Sequence, residues 1–166
     1  VGVTIFYSGT IRSTERDPLL LHIALKWAKR WKCDVVDVDD QQSLLIRMRD
    51  GESIGYRGPA KGFILRPHPD AESLGIVYSP DGYVWRFCKT QFAGPRIHIE
   101  VVEFLNEIAP FFKDFKITDD GGYWPKKDRT ELERRMGLIG DAINELGKTF
   151  PRSKDHGDHT PKSGLN

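Results

Sequence analysis

The sequence has little cysteine, no long apolar run and almost no net charge, and each shortage closes off a class of function. Only Cys33 and Cys88 occur, with no CxxC or Cys/His spacing around them, so no zinc site is expected and both read as reduced thiols. No stretch approaches the roughly 18 consecutive apolar residues that a membrane-spanning helix requires. Val1 to Tyr7 form a short β-like run with neither a basic region nor a cleavage signal. The expectations that follow are no membrane association and a cytoplasmic protein. Lys and Arg (25) nearly cancel Asp and Glu (24), so no global field draws the chain to nucleic acid, and such binding must rest on a local patch.

A length of 166 residues, 39% of them hydrophobic, suffices for one core of ordinary size. The reading is a single domain over 1–150, followed by a flexible polar tail over 151–166 that has almost nothing to bury. Within the tail, Asp155-His156-Gly157-Asp158-His159 has metal-binding composition but no scaffold to fix a geometry.

The local pattern predicts an α+β fold. Val3 to Tyr7 is a strand, and Asp17-Pro18 caps a helix that runs to about Lys32 and carries Leu20, Ile23, Ala24, Trp27 and Trp31 at helical spacing. Its other face, with His22, Lys26, Lys29 and Arg30, reads as a solvated surface. Asp34 to Val38 alternates as a strand and closes a βαβ or βα-hairpin opening. Asp50-Gly51 makes a hairpin of Ser43–Arg49 with Glu52–Tyr56, and Gly58-Pro59 breaks the chain before a strand over Gly62–His68. Ser79-Pro80-Asp81-Gly82 turns Ser73–Tyr78 into a hairpin with the strand from Tyr83 to Cys88. Gly94-Pro95 opens a second helix, Phe115–Asp119 is a strand, and Asp128 with Glu131 starts a third helix. The expected architecture is a mixed sheet of about five to seven strands, with βαβ-type units at both ends and three helices packed mainly on it.

If the strands ending near His68, Cys88 and Asp119 run the same way, their carboxyl ends share one edge with the start of the second helix. That edge gathers Lys89, Thr90, Gln91, Arg96, His98, Asp119, Asp120, Tyr123 and Trp124, with His68 as a further member. Unpaired N–H groups at a helix start, with Lys89 and Arg96 beside them, suit an anion. The competing reading has Thr90 or Gln91 as a cap and the two cations paired with Asp119 and Asp120. His98, at the border of the apolar stripe, is either an acid or base or a buried histidine held by a hydrogen bond. Asp119 and Asp120 are the metal candidates, yet consecutive strand residues point to opposite faces. Tyr123 and Trp124 either stack on a base, a sugar or a partner, or cover the core beside an Asx-type turn.

Lys89-Thr90-Gln91-Phe92-Ala93, Pro95 and His98, followed by Asp120-Gly121-Gly122-Tyr123-Trp124 and Asp128, resemble a pattern found in a family of small uncharacterised bacterial proteins. The resemblance implies a bacterial origin and one structural unit; it implies no reaction.

The functional expectation is a binding module that recognises an anionic ligand at the 89–98/119–124 edge: a nucleotide, a nucleic acid or an acidic partner. It uses no cofactor. The alternative is a metal-dependent phosphoester hydrolase or transferase, with His98, Asp119 and Asp120 as catalytic candidates and Lys89 and Arg96 on the phosphate. Leu132, Met136, Ile139, Ile143 and Leu146 form a narrow apolar seam, which makes the 128–148 helix a candidate homodimer surface.

Overall fold

A computed structural model describes residues 2–149; the expected tail over 151–166 lies outside the described residues. The elements in chain order are β1 (Thr4–Ile11), α1 (Pro18–Trp31), β2 (Val36–Arg49), β3 (Glu52–Leu65), β4 (Leu74–Tyr78), β5 (Tyr83–Lys89), α2 (Pro95–Ile108), β6 (Phe112–Asp119) and α3 (Arg129–Thr149). A short 3₁₀ turn, Ala109–Phe111, joins α2 to β6.

The fold is α+β with three helices, but the expected single sheet is two three-stranded sheets, ordered β5-β1-β6 and β2-β3-β4. Every pairing is antiparallel. The βαβ unit expected at the amino end is therefore absent from these sheets, because β2 joins the sheet that does not contain β1. At the other end β5, α2 and β6 form a split unit: β5 and β6 run parallel to each other with β1 between them. The expected strands over 34–38 and 43–49 are one long β2, and the expected break at Gly58-Pro59 lies inside β3. The reason is a bulge: pairing shifts between Asp40 and Ser43, and the Asp40 carboxylate accepts from the Gln42 N–H and the Ser43 hydroxyl. The hairpin turn itself is as Asp50-Gly51 dictates, with both residues at positive φ (52° and 83°).

β4 and β5 follow each other through the Ser79–Gly82 turn, yet they do not pair as the expected hairpin. The Tyr7 phenol supplies the reason. Its hydroxyl donates to the Gly75 carbonyl (2.9 Å) and accepts from the Gly75 N–H (3.0 Å), taking from β4 groups that a neighbouring strand would use. At the far end of the seam the segment just before β4 meets β5, where the Glu72 N–H donates to the Lys89 carbonyl and the Lys89 N–H donates to the Glu72 carboxylate. Tyr7→Phe removes the bridging hydroxyl and leaves both Gly75 groups buried without it. The expected loss is about 2 kcal/mol, read as a lower urea midpoint at unchanged slope.

α1 begins as predicted, with the Asp17 carboxylate accepting from the N–H groups of Leu19 and Leu20. Its basic face is only partly solvated: Arg30 pairs with the buried Glu100 of α2 at 3.0 Å, and Lys26 pairs with Glu107. The indole N–H groups of Trp27 and Trp31 donate to the same two carboxylates. These polar ties clip α1 to α2 over a core built from Ile5, Leu65, Leu74, Ile76, Phe104 and Leu105, each at most 1% exposed. α3 buries Leu132 and Met136 on this core, while Leu138 and Leu146 are exposed. Among the described residues no helix is long and apolar enough to cross a membrane.

Candidate functional site

Because β1 is antiparallel to both neighbours, the ends of β5 and β6 lie together beside its start: Thr4 is opposite Lys89 and Ile5 is opposite Asp119. α2 begins a few residues after β5, so the 89–98 and 119–124 segments do converge. What they form is a buried polar network. Thr90 and His98 have no solvent exposure, and neither does the Asp119 side chain. The Thr90 hydroxyl lies 2.7 Å from Nδ1 of His98. Nε2 lies 3.0 Å from Oδ1 of Asp119, a contact close in distance but off the hydrogen-bond axis, so it is an electrostatic contact more than a directed bond. The Asp119 carboxylate also accepts from the N–H of Gly121 (2.6 Å) and of Trp124 (2.8 Å). Burial raises its pKa, but the His98 ring and the two N–H groups outweigh that, and the net position is below the ordinary carboxylate value.

The other sequence candidates divide between structural ties and open surface. Gln91 is a tie: it accepts from the Val3 N–H and donates to the Met136 carbonyl, joining β1 to α3. Tyr123 is buried edge-to-face against His98, and Trp124 is half-buried beside the Asx-type turn at Asp119. Asp120 is exposed and contributes its backbone, the N–H donating to the Thr4 carbonyl and the carbonyl accepting from Arg135. Among the described residues no three His, Cys, Asp or Glu side chains come together as a metal-binding group. His68 does not join the cluster; its Nδ1 accepts from the Asp70 N–H within its own turn. Arg96 is exposed and makes no ion pair among the described residues, and the Lys89 ammonium lies 5.9 Å from the exposed ring of Phe92.

A different constellation occupies the face of β5-β1-β6 turned away from the helices. Residues directly opposite in antiparallel strands share a face, and the pairs Phe6–Phe87 and Ser8–Trp85 put three aromatic rings together. The rings form a triangle with centroids 6.0 Å (Phe6–Phe87), 6.0 Å (Trp85–Phe87) and 6.5 Å (Phe6–Trp85) apart. None belongs to the core cluster, and Phe87 is 42% exposed. Comparison with protein-family models, with curated proteins and with solved structures finds no match to this chain. The surface must therefore be read from its own chemistry. Lys89 ends the same row on β5, and Lys116 (opposite Ser8) and Lys113 (opposite Thr10) stand exposed on β6. The sequence signal was the alternation Tyr83-Val84-Trp85-Arg86-Phe87-Cys88, which sends three aromatics to one face and Val84 and Cys88 to the core.

Further cavities lie elsewhere. One of about 450 Å³ sits between the start of α1 and the β2–β3 sheet, with the exposed Arg16–Asp37 pair beside it. It is remote from both the polar network and the aromatic face. One of about 420 Å³ adjoins Asp119, but both signs of charge line it, and its Glu131 is already bound by Arg134 and Arg135.

Proposed function

We propose that the protein binds single-stranded nucleic acid on the outer face of β5-β1-β6. The observation that carries this reading is the triangle of exposed Phe87 with half-buried Phe6 and Trp85, with Lys89, Lys113 and Lys116 around it. An aromatic ring offers any base a stacking surface, and lysines at its margin meet the phosphates that connect successive bases. The chain's overall neutrality does not oppose this, because the charge is local. The anionic ligand thus moves from the helix start, where Thr90 and His98 hold each other and Gln91 ties Val3 to Met136, to the adjoining sheet face, with Lys89 common to both. The phosphoester-transfer alternative finds less support, since His98 and Asp119 have no surface to offer a substrate.

The test is fluorescence anisotropy of labelled oligouridylate and oligothymidylate, with a duplex of the same length as control. Single strands should bind and the duplex should not. Phe6→Ala with Phe87→Ala should weaken binding by at least about 30-fold, taking about 1 kcal/mol or more per lost stacking surface, with the melting temperature retained. Three phosphate contacts predict a slope of about −2 in log affinity against log salt. Equal binding by the wild type and the double variant would sink the reading.

A further inference from the structure

We infer that, on this single-strand reading, the cleft between the β2–β3 hairpin and β5 takes one unstacked guanine, whose edges are read by Glu72 and Arg86. The cleft has a volume of about 440 Å³, ample for a base with its sugar. One wall is Trp85 and Phe87, so it is continuous with the aromatic triangle, and a strand lying on that face reaches the cleft without leaving the protein surface. The other wall is Leu44 and Ile46 of β2, two residues apart and hence on one face. At 70% and 65% exposure they are among the most exposed large apolar side chains of the described residues. A flat base between these walls would cover apolar surface on both of its sides.

The polar groups select the base. Glu72 is held in place by β5 itself, since one carboxylate oxygen accepts the Lys89 N–H at 3.1 Å. The other oxygen has no partner among the described residues. Arg86, opposite Tyr7 and beside its hydroxyl, reaches round the edge of β5 over Gly75, where a Cβ would lie 2.8 Å from its Nη2, so the glycine makes room for the guanidinium. Arg86 makes no ion pair among the described residues. One lining therefore offers a half-used carboxylate and a guanidinium that makes no ion pair.

A carboxylate accepts best from two adjacent N–H donors, and guanine alone among the four bases presents them, at N1 and N2. Guanine also presents O6 and N7 as a paired acceptor for arginine. Adenine would set its N1 lone pair against the carboxylate. Cytosine and uracil have no N7, and uracil has a single N–H between two carbonyls.

The experiment compares full-chain binding of oligouridylates that carry one central G, A, C or U, by anisotropy, with melting temperatures recorded for every variant. The wild type should favour the G strand over the all-U strand by about tenfold or more. In Glu72→Gln, which keeps an acceptor for the Lys89 N–H, the G-over-U ratio should fall to about one. Arg86→Gln is the second variant and should lower the same ratio, so a folding failure of either one leaves the other to decide. If the wild type binds all four strands alike, the single-strand reading stands and the guanine pocket falls. If the G preference survives in both variants, the pocket falls too. If no strand binds, both proposals fall together.

Discussion

Gly62→Ala should leave little or no folded protein. Gly62 sits inside β3 at φ 137°, opposite Val77 of β4, where an added Cβ would overlap the Ile76 carbonyl oxygen outright. That obstacle is backbone in a paired strand and has no rotamer by which to retreat. The backbone conformation disfavours any L side chain besides. Relieving the overlap means parting β3 from β4, and with them Phe63, Leu65, Leu74 and Ile76, which the core holds at 0–6% exposure. The expected cost exceeds about 4 kcal/mol, a large share of the 5–15 kcal/mol that stabilises a typical domain. Denaturant unfolding, or soluble yield where nothing folds, measures it. A variant that unfolds within about 0.5 kcal/mol of the wild type would mean that β3 and β4 do not approach this closely.

Asp119→Ala is expected to be the next most damaging change. It strips the acceptor from two N–H groups, of Gly121 and Trp124, and removes the carboxylate that lies 3.0 Å from the buried Nε2 of His98. Leaving a buried donor without its acceptor costs about 1–3 kcal/mol, so the two N–H groups together make the expected loss roughly 3 kcal/mol. Acid should do the same work on the wild type. The folded pKa of Asp119 lies below its ordinary value, against the raising effect of burial, because His98 and the two N–H groups favour the charged form. The carboxylate's contribution is therefore complete above the ordinary carboxylate range and is lost as pH falls through about 4 and below. Asp40, Asp81, Glu107 and Glu131 are lowered as well, so the wild type alone does not isolate one group. The difference between the wild type and Asp119→Asn does. Stability of the Asn variant should fall less steeply between about pH 5 and pH 2, and parallel curves would show that Asp119 carries no such charge-dependent contribution.

The sequence made the convergence of 89–98 with 119–124 legible, because a strand, a helix and a strand in succession bring two strand ends to one side whatever lies between them. It did not reveal that β1 is what lies between. Val3–Tyr7 and Asp34–Val38 both alternate well enough to be neighbours, and period-two patterning names a face without naming a partner. The division into two sheets was hidden for a related reason. It turns on the hydroxyl of Tyr7 meeting Gly75, a contact between residues 68 apart. His98 at the border of the apolar stripe was readable as either buried or reactive. Only the closeness of Thr90 and Asp119 shows which partners its two ring nitrogens have. The aromatic face went unread because Phe6, Trp85 and Phe87 look, one by one, like core residues. Their common face appears once Phe6 is known to lie opposite Phe87.

The central position of β1 has a consequence for how the protein is made. Among the described strands, residues 4–11 pair only with 83–89 and 112–119, so the first of these strands to be synthesised waits for the last two. Such long-range closure is slow, and a chain in that state has Ile5 and Tyr7, as well as Phe6, still uncovered. The β2–β3 hairpin, which closes over two residues, can form in the meantime and hold the middle of the chain in register. The aromatic surface is thus among the last features to be assembled, and a fragment that stops short of Phe112 lacks one of the two strands that flank β1.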